Sequence, residues 1–247
     1  FAPSDAEIEP GVNYGNGGET TFKGPLDTSE DVTINGDSAT GDAGGAFVNF
    51  GTGKNDLNIT NVGSLKINGG SDTNTITGTP TNITGDFIVN DAKGTAADTI
   101  NLTDIKATGK VEIIAPEAGM KNAFTATVAQ AGADININTN GAASSTIGIV
   151  QPNAGNVTVA AQGEGKDAVT LGTFAASVSK QELTITLNDK AQDTVSVADG
   201  TDLTGWTTSI TGAAITLAGK ANLGDLSGIA DSTISGGTLQ LSGDLDL

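Results

Sequence analysis

Short runs in which apolar and polar residues alternate recur along almost the whole chain. The first members are VTI at Val32, LNI at Leu57, TIT at Thr75, INL at Ile100, FTATV at Phe124, IGI at Ile147, VTL at Val169, VSV at Val195, ITL at Ile215 and TIS at Thr233. Most are followed by a second run: LKI at Leu65, FIV at Phe87, VEI at Val111, INI at Ile135, VTV at Val157, LTI at Leu183 and LQL at Leu239. Alternation of period two is the mark of a half-buried strand, because successive side chains leave opposite faces of the backbone. The stretch Asp98 to Ala115 shows the unit most cleanly. There Thr99 to Thr103 and Lys110 to Ile114 flank a bend at Gly109, and Ile100, Leu102, Ile105, Val111 and Ile113 are predicted to point inward. The second run begins at the same separation from Ile76, Ile100 and Phe124, which fits a common turn.

The starts of the first runs lie roughly 22 residues apart on average, within the range of a solenoid. Stacked at ~4.8 Å, about ten such coils would make a rod roughly 50 Å long with aliphatic ladders inside. The expected fold is all-β, a parallel β-solenoid over residues 21–247 with an extended N-terminal arm over residues 1–20. The alternative is one or two antiparallel β-sandwich domains, which also present short strands at close spacing. In the arm, Pro3, Pro10 and the run Gly15 to Gly18 surround only Ile8 and Val12 as apolar anchors. It reads as a disordered terminus or as a strand donated to a neighbouring subunit. No convincing helix occurs; the best stretch, Ala118 to Gln130, is interrupted by Gly119 and contains FTATV.

Composition narrows the chemistry. The chain has 247 residues, 11 Lys+Arg against 29 Asp+Glu, a formal net charge of −18, no His and no Cys. Every basic residue is a lysine. No side chain therefore titrates near neutrality in its unperturbed state, and no thiolate can act as nucleophile or metal ligand. Missing arginine and the negative charge both oppose phosphate recognition, so nucleic acid is excluded as a partner. No apolar run approaches the roughly 20 residues of a membrane-spanning helix. The chain begins at Phe1 rather than Met, which suits a mature protein whose signal peptide has been removed or a trimmed chain, and a secreted or cell-surface location is expected.

Aspartates precede several first runs: Asp31, Asp56, Asp98, Asp167, Asp193 and Asp231. At a turn such a side chain can bond its own backbone. Repetition on neighbouring coils would instead bring carboxylates together, and a hard, oxygen-rich site suits Ca²⁺. GTGKNDLNI at Gly51, GGSDTNTIT at Gly69, GTAADTINL at Gly94 and GEGKDAVTL at Gly163 resemble degenerate relatives of the glycine- and aspartate-rich calcium repeat of RTX proteins. The longer units, with TISGGTLQLSG near the end, resemble bacterial or archaeal surface-layer and large surface-adhesin proteins. The intact GGxGxD nonapeptide does not occur in tandem. The resemblance implies Ca²⁺ at Asp56, Asp72, Asp98 and Asp167.

No catalytic set is expected. The pair Asp244 and Asp246 has exposed-strand spacing, and the aromatic residues that line sugar clefts are few and scattered. An ice-binding solenoid is set aside because the T-x-T triplets at Thr73, Thr75, Thr125 and Thr184 do not share one coil position. The expected function is a secreted structural protein that self-assembles into a surface layer or extracellular filament. Its expected partner is itself, through the arm. The alternative is an adhesin or receptor-binding module that engages a cell-surface glycan without ordered assembly.

Overall fold

The structure, a computed structural model, describes residues 18–22, 24–36, 44–53, 56–91, 98–115, 123–140, 142–150, 155–174, 177, 180–189 and 191–243. Within them every regular element is a strand, and every strand pairing is parallel. The chain winds as a β-solenoid, alternating between two sheets. In ladder order, the main path of sheet A runs Gly44–Phe50, Thr75–Gly78, Thr99–Lys106, Ala123–Gln130, Ser144–Ile149, Ala168–Leu171, Thr194–Val197, Ala214–Asn222 and Thr233–Gln240. Sheet B has nine strands: Val32–Asn35, Leu65–Asn68, Phe87–Asn90, Val111–Ile114, Ile135–Asn138, Val157–Ala160, Gln181–Thr186, Trp206–Thr211 and Asp225–Gly228. The sandwich alternative is thereby ruled out.

The start of the chain is less regular. Gly18–Phe22 pairs with Gly44–Phe50, and Gly24–Asp27 pairs with Leu57–Asn61. Most of the predicted arm lies outside the described residues, but its last three residues open the strand Gly18–Phe22, held in the protein's own sheet.

Alternation becomes burial. In sheet B the columns Leu65, Phe87, Val111, Ile135, Val157, Leu183 and Ile67, Val89, Ile113, Ile137, Val159, Ile185 point inward and are fully buried. A third, narrow side is closed by the parallel bridges Val62 to Ile83 and Ile83 to Ala107. Phe50 and Phe87 meet edge to face with ring centroids 6.1 Å apart. Coil length is not constant: Ala168 pairs with Thr194, whereas Ala214 pairs with Thr233, a shorter step. Where coils lengthen, bulk fills the gap, as Phe174 and Trp206 do with centroids 5.5 Å apart. Variable turns therefore do not oppose a solenoid; only the strand register must be kept.

Several expectations need correction. VTI at Val32 belongs to sheet B, not to the series of first strands. LQL at Leu239 forms no second strand, because Thr233–Gln240 continues along sheet A past a register shift. The strands Gly44–Phe50, Trp206–Thr211 and Asp225–Gly228 were not expected. Trp206–Thr211 reads as polar because Thr208 occupies the column between Leu183 and Leu226, fully buried and with its hydroxyl unpartnered. Thr208→Val keeps the shape and removes a buried donor. Urea unfolding should show a gain of about 1 kcal/mol; a loss would mean that the hydroxyl is satisfied in solution.

Candidate functional site

Between sheets the main-chain N–H groups at each corner point along the rod axis, and a buried amide must find an acceptor. Before sheet B, the side chain of one coil accepts the N–H of the next. Asp31 takes that of Ser64 (2.6 Å), Asp86 that of Lys110 (2.9 Å), Asp134 that of Asn156 (2.7 Å) and Asn156 that of Glu182 (2.9 Å). Before sheet A the direction reverses. The N–H of Ala46 donates to Asn74 Oδ1 (2.8 Å), that of Asn74 to Asp98 Oδ1 (2.6 Å) and that of Asp167 to Asp193 Oδ1 (2.9 Å). Asp31, Asp98 and Asp193 thus serve main-chain amides of the neighbouring coil, while Asp56 and, through its second oxygen, Asp193 also accept amides of their own turns.

The four aspartates matched to the calcium repeat occupy different surroundings. Asp56 closes a surface turn, accepting from Asn49 Nδ2 and the Gly53 N–H, both at 2.7 Å. Asp72 is exposed. Asp98 is buried beside Asp91, and Asp167 is buried in a column between Ser145 and Asp193. The structure does not bring the four together. Among the described residues, no group of three or more His, Cys, Asp or Glu is placed to hold a metal ion.

The densest polar cluster includes a residue that sequence reading did not single out. Asp91 directly follows its sheet B strand, Asn74 and Asp98 directly precede neighbouring sheet A strands, and all three are buried. Asn74 Nδ2 donates to Asp91 Oδ1 at 3.0 Å and to the carbonyl oxygens of Gly70 and Asp72, also at 3.0 Å, while Asn74 Oδ1 accepts from the Gly70 N–H at 2.9 Å. A Cβ on Gly69 would collide with Asp91 Oδ1. Burial, then the charge of and hydrogen bond with Asp98, push the Asp91 carboxyl up to about 8. Burial also raises Asp98, against the lowering effect of its bonds from Asn74. Asp167 is raised by burial too, partly offset by the nearby Ser145 hydroxyl and main-chain amides. A carboxyl pair of this kind shares a proton and ties two coils together. Asp91 carries no signal in the sequence, because it follows a strand of the other sheet.

The two outer faces differ in charge. Sheet B carries Lys66 and Glu112 together with an asparagine ladder in which Asn68 Nδ2 donates to Asn35 Oδ1 at 2.6 Å. From Ala123–Gln130 to Thr233–Gln240, sheet A turns outward two columns, Thr125, Thr146, Ala168, Thr194, Ala214, Thr233 and Thr127, Gly148, Thr170, Ser196, Thr216, Ser235. Gly148, Ala168 and Ala214 apart, all are Thr or Ser, and none is charged. No register shift interrupts these positions. Thr125 and Thr127 therefore do share a coil position with later hydroxyls, whereas Thr184 lies on sheet B. Register, invisible in the sequence, converts scattered triplets into an array. At the first end the array stops at a bulge where Asp104, at φ 54°, pairs with Lys106 at 2.8 Å.

An open groove of about 530 Å³ beside Phe50, Thr52, Asn58, Thr79 and Asn82 is lined, among the described residues, by no ionisable side chain. In comparisons with known proteins, no family model, no curated sequence and no solved structure matches the chain.

Proposed function

We propose that the chain is a structural rod of an extracellular assembly, a subunit of a surface layer or filament that associates end to end with copies of itself. One observation carries this reading. Among the described residues, Thr233–Gln240 and Asp225–Gly228 have a strand neighbour on one side only, and so do Gly24–Asp27 and Val32–Asn35 at the other end. An unpaired edge is a template for another strand. Because every pairing is parallel, the last rung of one copy has the polarity to continue onto the first rung of another. Such head-to-tail contacts leave a fresh edge after each addition and grow filaments. Ile234 and Leu239 end the inner ladders, Leu239 at 36% exposure, and a following coil would cover both.

A secreted or cell-surface location belongs to this reading, and the surface-layer and RTX-like resemblance is in keeping with it. Calcium enters as a bridge between surface carboxylates of neighbouring rods, the exposed Asp72 and the half-exposed Asp56 among them, which would lessen repulsion between chains of net charge −18.

The test is sedimentation velocity with negative-stain imaging over a range of concentrations. The wild-type protein should form rods that lengthen with concentration, and joint substitution Ile234→Lys and Leu239→Lys should leave protomers, since inward-pointing charge blocks an edge. A wild-type protein that stays monomeric throughout would reject the proposal, and glycan capture by that monomer would replace it with the adhesin reading.

A further inference from the structure

The uncharged hydroxyl columns of sheet A are the most regular surface feature among the described residues, and end-to-end growth makes no use of them. We propose that this face binds crystalline water, so that the protein attaches to ice and restrains its growth. The inference does not rest on the assembly reading.

Along the rod the hydroxyl columns repeat at the strand spacing, ~4.8 Å, and along each strand at two residues, ~6.7 Å. Six strands contribute, so the two columns span about 24 Å along the rod and about 7 Å across it, centre to centre, at these spacings. Ice is a tetrahedral network of hydrogen bonds about 2.75 Å long, so its second neighbours stand about 4.5 Å apart and its layers repeat at 8/3 bond lengths, about 7.3 Å. The two meshes agree to about a tenth in each direction. Waters held on the protein mesh thus already sit near lattice positions before contact, and the ordering cost of binding is reduced in advance.

Side-chain chemistry points the same way. Threonine offers a hydroxyl that joins a water network and a methyl group that holds no water of its own. One residue past Val128, Ile149, Leu171 and Val197 stand Ala129, at the end of its strand, and Val150, Gly172 and Ala198, just beyond theirs, of which Val150 is 42% exposed. A charged group would impose a tight hydration shell that does not fit the lattice, and none stands in the columns although the chain carries 40 charged side chains. Sugar polymers are the rival ligand of a flat face, but they stack on aromatic rings, and these columns have none.

The experiment uses the full chain and ice itself. Growth arrest between melting and freezing points, inhibition of recrystallisation in fine ice, and uptake of labelled protein into a growing ice hemisphere should all be positive for the wild type. Thr170→Lys and Thr216→Lys, both on exposed outward positions, should each reduce growth arrest at least tenfold with an unchanged circular dichroism spectrum. Thr184→Lys on sheet B should leave it unaltered. Absence of all three signals in the wild type would overturn the proposal, as would equal loss from the sheet B variant. Face-to-face dimers that Thr170→Lys dissolves, with no uptake into ice, would give the face to a second copy and also overturn it.

Discussion

Phe87→Ala should cost about 3 to 5 kcal/mol of unfolding free energy. Phe87 lies in the inner column between Leu65 and Val111, is fully buried, and meets the edge of Phe50 from the opposite sheet. Truncation leaves a ring-sized cavity that two sheets fixed in register cannot collapse around, and it also removes an edge-to-face pair worth roughly 1 kcal/mol. In a solenoid each coil touches only its neighbours, so the damage stays local. Amide exchange should quicken over residues 44–91 while the coils beyond residue 135 keep their protection. Ile88→Ala on the same strand, facing outward, should change stability by about 0.5 kcal/mol or less. Equal costs at the two positions, read by urea unfolding, would contradict the inward assignment of the column.

That assignment was legible in the sequence because alternation reports the inside of a strand directly. Ile100, Leu102, Ile105, Val111 and Ile113, all expected to point inward, are fully buried. Three kinds of information were not legible. Strands whose inner positions are polar or small, such as Trp206–Thr211 with Thr208 and Gly44–Phe50 with Ala46, do not alternate clearly. Register between coils depends on loop lengths, which vary, so the hydroxyl columns of sheet A could not be read from scattered triplets. The partners of the turn aspartates also lie one coil away: Asp98 serves Asn74 and Asp193 serves Asp167, across separations that no local motif encodes. The calcium-like spacing and the amide-capping role call for the same residue type at the same kind of turn, and only the three-dimensional placement distinguishes them.

Asp91→Asn should flatten the pH dependence of stability between about pH 4 and pH 8. In the folded protein the Asp91 carboxyl is pushed from 3.8 up to about 8, chiefly by burial and then by Asp98. Between those values the folded state holds a proton that the unfolded chain has released, so the wild-type protein loses stability as pH rises through this window and levels off above it. Asparagine reproduces the protonated acid: its oxygen can accept from Asn74 Nδ2 and its amide can donate to Asp98. At one pKa unit per 1.36 kcal/mol, with allowance for relaxation around the charge, the variant should exceed the wild type by about 2 to 4 kcal/mol at pH 7. The two should be nearly equal at pH 4. Urea unfolding at intervals across this range gives the difference directly, and because both proteins share every other carboxylate, their common acid sensitivity cancels. Parallel curves would mean that Asp91 is ionised in the folded state, with its charge balanced by a group other than Asn74. A gap that opens upward with pH is the signature of a carboxyl pair that locks two coils together only while it keeps one proton.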